Sequence, residues 1–125
     1  VDDTVRRYVS MFPSSDRNRA NDTIAANLAF ILYQQLIPYE KGLGERTLAM
    51  EVLKVASVPS VQNHLRKGEY HQLISDMQTS RGRNMITLDE RLKELYKDGR
   101  LTRENAMYYA RDKEGMAKTL GQSKD

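Results

Sequence analysis

The stretch from Val58 to Asp112 constrains the fold more than any other part of the sequence, because helix starts, helix ends and apolar faces follow one another there at short intervals. Pro59 suits the first turn of a helix, and Gly68, preceded by two basic residues, suits its end. A second helix is predicted from Glu69 to about Thr79, since apolar residues recur there at helical spacing. This stripe consists of Tyr70, Leu73, Ile74 and Met77.

Further helices are predicted after a basic loop over Ser80 to Asn84. Thr87, followed three residues later by Glu90, has the spacing of a capping box, and Gly99 suits the end of that third helix. Thr102 opens a fourth helix, and a last amphipathic turn or two follows from residue 114 to residue 120. The inward face of the third helix is expected to consist of Leu88, Leu92, Leu95 and Tyr96.

The residues before Val58 predict two helices. The first runs from Val1 to Met11, where two acidic residues suit the positive end of the helix dipole. The sequence around Pro13 breaks it, and Ser15 or Asp16 can cap a second helix that extends through about Ala29. The side chains expected to face inward are those of Ile24, Leu28 and Ile31.

Two segments rich in β-forming residues come next, Phe30 to Ile37 and Thr47 to Val55. The residues from Pro38 to Gly44 read as the loop that joins them in an antiparallel pair. Two strands alone are only marginally stable in water. Unpaired sheet edges are therefore expected to seek partners, for example in a strand-exchanged oligomer.

Several motifs in fixed order carry a resemblance to a known family. They are P-x-V-x-N-x-x-R-x-G-x-x-H-Q-L, then M-Q-T-S, then M-I-T-L-D-x-x-L-x-x-L-x-x-x-G-R-L-T-R-E-x-A, with DDTVRRYVSMFP and NLAFILYQQLIP upstream. Together they resemble the C-terminal end of the PilT-like type IV pilus retraction ATPases, which belong to the type II/IV secretion ATPase superfamily. The resemblance covers nearly the whole chain.

This resemblance implies a fold and a division of the chain. The expected class is an α-rich α/β fold, the C-terminal part of a RecA-like P-loop ATPase domain, with two helices, a β-hairpin and a C-terminal helical bundle. Residues 1–57 are expected to be the truncated end of the RecA-like core. Residues 58–121 are expected to form the bundle, and residues 122–125 a tail.

The resemblance also implies a function. The parent protein is expected to be a cytoplasmic, homo-hexameric motor ATPase, peripheral at the inner membrane, that powers pilus retraction and twitching motility. Its partners would be the other subunits of the hexamer and the inner-membrane pilus machinery, and its cofactors ATP and Mg. Another secretion or conjugation ATPase of the same superfamily is the nearest alternative.

The chain itself lacks the motifs of nucleotide chemistry. ATP hydrolysis requires a Gly-rich loop that ends in Lys and Ser or Thr, together with acidic residues for Mg²⁺. No G-x-x-x-x-G-K-[ST] occurs in the sequence, and in the family the phosphate loop, the acidic box and the histidine box precede the matching region. We therefore predict no catalytic and no cofactor-binding residue here, and no ATPase activity for the chain alone.

One helix is the candidate for coupling, because it occupies the place of the family's A-I-R-N-L-I surface motif, which the resemblance implies is needed for retraction. Gln62 stands where the family has arginine, and His64 where it has leucine. An ordinary exposed helix whose apolar residues pack inward is the alternative. The motif positions are Ser60, Val61, Gln62, Asn63, His64 and Leu65.

The two histidines of the sequence, His64 and His71, raise the question of a metal site. A catalytic metal site needs about three protein ligands, and these two lie on opposite sides of the helix break at Gly68, so no metal is predicted. The His71–Gln72 pair matches a family step. An intersubunit or inter-helix contact is one interpretation, and simple capping is the other.

Composition leaves other classes of protein open. The net charge is +3, but acids and bases are interspersed, so nucleic-acid binding is not expected. A helix-turn-helix alternative would use Leu88 to Lys97 for recognition, yet that segment carries three acidic residues. A stand-alone adaptor is a third alternative. With no cysteine and no apolar run of about 20 residues, a soluble or peripheral, disulfide-free protein is expected.

Overall fold

A computed structural model describes residues 1–38, 45–80 and 84–121. Within these ranges the chain forms helices and one antiparallel two-stranded hairpin, and this confirms the predicted α-rich α/β class. Predictions for the loop after Pro38, for the basic residues 81–83 and for the tail fall outside the described residues. The elements are α1 (Asp2–Ser10), α2 (Arg17–Asn27), β1 (Phe30–Pro38), β2 (Arg46–Lys54), α3 (Pro59–Lys67), α4 (Leu73–Thr79), α5 (Leu88–Lys97), α6 (Arg103–Tyr109) and α7 (Lys113–Gly121).

Helix α3 begins and ends where the sequence predicts. Pro59 is its first residue, and Gly68 follows its end in the left-handed conformation, with φ of 70°. The backbone N–H of Gly68 donates to the Leu65 carbonyl at 3.1 Å, and that of Glu69 donates to the His64 carbonyl at 2.9 Å. These two bonds form a Schellman motif, so carbonyls of the last turn are satisfied by the backbone.

The next predicted helix is divided into two parts. A 3₁₀ turn covers Tyr70–Gln72, and only then does α4 begin, so the predicted α-helical start at Glu69 is too early. The apolar stripe is confirmed nevertheless. Leu73 and Met77 are fully buried, and Tyr70 and Ile74 pack against the same core.

Two compact units can be distinguished in the chain. The first combines Val1–Tyr33 with Glu51–Thr87, and the second combines Gln34–Met50 with the chain from Leu88 onward. The predicted domain division between residues 57 and 58 stays a prediction. The core of the first unit consists of Val1, Val5, Val9, Ile24, Ala25, Ile31, Leu53, Val55, Val58, Val61, Leu65, Leu73, Met77 and Met85.

Two expectations about α2 are wrong. Asp16 precedes the helix, but its side chain makes no capping hydrogen bond, because a 3₁₀ turn over Ser14–Asp16 leads directly into the first α-helical turn. The sequence predicts that Leu28 faces inward, but its side chain is 37% exposed. The helix ends at Asn27, and Leu28 adopts an extended conformation, so it leaves the inward face.

The first unit also contains a backbone pairing that has no sequence signature. The N–H of Val52 donates to the Ile86 carbonyl at 2.9 Å, and the N–H of Ile86 donates back at 3.1 Å. This isolated antiparallel bridge gives β2 a partner besides β1.

In the second unit α5, α6 and α7 pack against one another. The hydroxyl of Thr102 accepts a hydrogen bond from the Asn105 N–H at 3.1 Å, which confirms the predicted cap of α6. The carboxylate of Asp89 accepts bonds from the N–H groups of Arg111 and Asp112, both at 2.9 Å. Helix α5 begins directly after Thr87, as predicted.

The described helices are short. The longest, α2, has 11 residues, whereas crossing a bilayer takes about 20 apolar residues. None of the helices within the described ranges has the length and apolarity of a membrane span.

Candidate functional site

Helix α3 carries all six residues of the predicted coupling motif and divides them between two faces. Val61 and Leu65, one turn apart, are both completely buried in the core of the first unit. Ser60 and Asn63, three residues apart, are exposed on the opposite side. The core therefore holds the helix by two apolar side chains, while a polar stripe faces solvent.

Gln62 ties α3 to α2. Its side-chain amide donates to the carbonyl of Ala25 at 3.2 Å, and Ala25 lies in the last turn of α2, where helix carbonyls lack intrahelical partners. The resemblance places an arginine at this position. In this chain Gln62 stands there, and its hydrogen bond connects two helices.

His64 ties α3 to α4. Its Nδ1 lies 2.7 Å from Oδ2 of Asp76, a distance at which a ring N–H donates to a carboxylate. Its Nε2 lies 3.9 Å from Oε2 of Glu69. The side chain of Asp76 is 9% exposed and that of His64 is 24% exposed, so the closer pair is largely removed from water.

Tyr70 connects the 3₁₀ turn after α3 to α2. Its hydroxyl donates to Oδ1 of Asn21 at 2.5 Å, and Asn21 is 5% exposed. His71 and Gln72, the predicted contact pair, lie on the same turn. His71 is exposed and Gln72 is partly buried, so the histidine is accessible to another chain.

An apolar groove also lies in the first unit, between α1, α2 and the start of β1. It encloses about 490 Å³ and is almost entirely apolar, with Tyr8, Leu28, Phe30 and Leu32 among its lining residues. Each of these four side chains is also substantially exposed to solvent.

The described residues do not fit a nucleotide or a metal. The phosphate loop of a nucleotide site combines converging backbone N–H donors with a Gly-Lys step. The groove is apolar, and no glycine of the sequence is directly followed by a lysine. Within residues 1–38, 45–80 and 84–121, no group of three His, Cys, Asp or Glu side chains is arranged to hold a metal ion. No chemical step is therefore assigned to the chain's own residues.

Comparison with known proteins shows similarity to pilus motor proteins over most of this chain. No protein-family model matches it. The type IV pilus ATPase PilU of Pseudomonas aeruginosa is 34% identical over 85% of this chain and 27% of the relative's length. The twitching motility protein of Neisseria gonorrhoeae is 30% identical over 91% of this chain and 30% of its own length. The chain thus spans less than a third of these relatives.

Solved structures give the same result. The pilus retraction motor PilT, crystallised with bound ADP, matches with a TM-score of 0.75 and 30% identity over 92% of this chain and 31% of that protein. The ATPase DotB of Legionella pneumophila matches with a TM-score of 0.65 and 18% identity. This match covers 86% of this chain and 28% of the DotB chain. The second match shows a shared fold alone.

The fold is thus that of part of the ATPase domains of PilT and DotB. Within that class the chain is PilT-like: in sequence and in structure it corresponds to the C-terminal portion of the type IV pilus retraction ATPases. The resemblance predicted from the motifs is confirmed.

Proposed function

We propose that the chain serves as the C-terminal portion of a hexameric motor ATPase that powers type IV pilus retraction at the cytoplasmic face of the inner membrane. The observation that carries this proposal is the match to the retraction motor PilT, at 30% identity over 92% of the chain. A relative named as a type IV pilus ATPase and one named as a twitching motility protein match over 85% and 91% of the chain.

In such a motor, ATP and Mg²⁺ are bound by parts that this chain does not supply, since it has no phosphate loop. We assign two roles to this portion of the motor, packing within the motor and coupling to the pilus machinery. Packing rests on the buried core of the first unit. Exposed His71, with Gln72 beside it, would contact a neighbouring subunit of the hexamer, and strand exchange through the hairpin is a further route to association.

Coupling is assigned to α3. Gln62 and His64 fix the helix to α2 and α4, so its solvent face is presented on a rigid support. On that face Ser60 and Asn63 offer hydrogen-bonding groups to the pilus machinery. Because α3 is fixed to α2 and α4 in this way, a displacement of the first unit can be transmitted through it to a partner.

The test separates coupling from hydrolysis in the organism that encodes this chain. The double variant Ser60→Ala, Asn63→Ala removes two exposed hydrogen-bonding side chains. Losing two such bonds lowers affinity for a partner by about tenfold or more. We expect retraction of fluorescently labelled pili to fall accordingly, while the ATPase rate of the purified gene product is unchanged.

A matched control uses the same residue types elsewhere in the first unit. Ser14→Ala with Asn18→Ala also removes two exposed polar side chains, and retraction should persist. Normal retraction in the α3 variant would contradict the coupling role of this face. Loss of ATPase activity in that variant would instead assign α3 to hydrolysis or assembly.

A further inference from the structure

The solvent face of α3 is positively charged as well as polar. The helix contains no acidic residue, and its last turn exposes Arg66 and Lys67 next to the stripe of Ser60 and Asn63. In the described part of the chain neither basic side chain lies within ion-pair distance of a carboxylate. By contrast, Arg6 pairs with Asp3 at 3.1 Å, and Arg91 pairs with Glu94 at 2.8 Å.

The acids nearest in the chain are directed elsewhere. Asp76 and Glu69 both approach His64, at 2.7 and 3.9 Å. The helix end does not depend on the two cations either, because Gly68 and Glu69 already donate backbone hydrogen bonds to carbonyls of the last turn. Among the described residues, neither an ion pair nor the helix end thus uses the charges of Arg66 and Lys67.

We propose that this face of α3, formed by Ser60, Asn63, Arg66 and Lys67, docks on an acidic surface of a protein partner. The proposal rests on the coupling role of α3 and names the chemistry of what it couples to. Two cations flanked by neutral hydrogen-bonding groups suit carboxylates presented on a folded surface. Electrostatic attraction would steer the partner, and Ser60 and Asn63 would fix the orientation.

The composition of the face disfavours other anionic partners. Membrane binding by electrostatics takes clusters of about four to eight basic residues, often with apolar side chains that insert. The face has two basic residues, and the large apolar side chains of α3, Val61 and Leu65, are buried. Single-stranded nucleic acid would require aromatic stacking side chains, and none of the four residues of this face is aromatic.

The binding experiment uses a fluorescein-labelled peptide of alternating Glu and Ala as the probe. We expect salt-sensitive binding to the full chain, with NMR shifts at the amides of Ser60 and Asn63. Arg66→Glu with Lys67→Glu should weaken it by at least about tenfold, because two attractions become repulsions. If circular dichroism shows that this variant fails to fold, Arg66→Gln with Lys67→Gln replaces it.

A matched control changes the same net charge at equivalent positions. Lys97 and Lys118 are exposed and lie in the last turns of α5 and α7, so Lys97→Glu with Lys118→Glu should leave peptide binding nearly unchanged. Equal weakening by both double variants would overturn the proposal. Binding of the full chain to vesicles of equimolar phosphatidylcholine and phosphatidylglycerol, without peptide binding, would overturn it in favour of a membrane.

Pilus retraction in cells separates this proposal from the coupling role. If both hold, the Arg66, Lys67 variant loses retraction as the Ser60, Asn63 variant does. If only the Ser60, Asn63 variant loses retraction, α3 is a coupling helix but its partner is not acidic. If neither variant loses retraction, the coupling role itself fails.

Discussion

At the scale of single residues, three polar side chains determine how α3 and the turn after it are held. Gln62, His64 and Tyr70 each reach a partner on another helix, and each partner group lies in a buried or nearly buried residue. A buried polar group that loses its partner keeps its desolvation penalty, so removing any one of the three costs more than its own bond is worth.

The His64–Asp76 pair gives the first prediction. His64→Ala leaves a carboxylate that is 9% exposed without its hydrogen bond, so the free energy of unfolding at neutral pH should fall by about 1–3 kcal/mol. Urea unfolding followed by circular dichroism measures this. The control His71→Ala removes an exposed histidine seven residues away and should stay within about 0.5 kcal/mol of the parent. Equal losses in both variants would contradict the pairing.

The bond between Tyr70 and Asn21 gives the second prediction. Tyr70→Phe keeps the ring and removes the hydroxyl that donates to Asn21, and we expect a loss of about 1–2 kcal/mol. Tyr108→Phe removes a hydroxyl from a side chain that is 73% exposed and should be neutral. A neutral Tyr70→Phe in the same unfolding assay would show that the amide of Asn21 finds another partner.

At the scale of elements, helix ends set by glycine can be tested as a series. Gly68 and Gly99 follow α3 and α5 with φ of 70° and 69°. An added Cβ in this left-handed region costs about 1–2 kcal/mol, so each Gly→Ala variant should unfold more easily by that amount. Gly121 ends α7 without positive φ and with open space around it, so Gly121→Ala should cost nothing. A neutral Gly68→Ala would mean that α3 ends differently.

The elements that sequence reasoning predicted well are those with local signals. Pro59, Gly68, Gly99 and Thr102 act through their own backbone or through neighbours within a few residues, and the structure has helix ends at all four. The strands were also predicted within a residue or two at each end, because β-branched and aromatic residues cluster in them.

Interactions between distant parts of the chain had no comparable signal. Gln62 and Ala25 are 37 residues apart, and Tyr70 and Asn21 are 49 apart, so no periodic pattern links them. That α3 occupies the position of the family's A-I-R-N-L-I motif could be predicted from the resemblance. The partners of Gln62 and His64 could not be predicted, because they depend on how α2 and α4 pack around α3.

At the scale of the whole molecule, exposed apolar side chains predict self-association of the chain. Leu32 on β1 is 53% exposed, and Phe30 is 50% exposed. Leu32→Lys should shift sedimentation toward the monomer, because burying a lysine at a contact is unfavourable. Gln34→Lys adds the same charge at an exposed polar position of β1 and should shift it less. Equal effects would show that charge alone, and not apolar contact, controls association.

The central claim is that this chain works within a retraction motor, and pilus dynamics in living cells test it most directly. In the encoding organism, the gene that contains this sequence is deleted, and labelled pili are followed by fluorescence microscopy. We predict that retraction events nearly disappear while pili remain and accumulate on the surface, and that the intact gene restores retraction. Loss of the pili themselves, or normal retraction alongside a defect in another secretion process, would contradict the account.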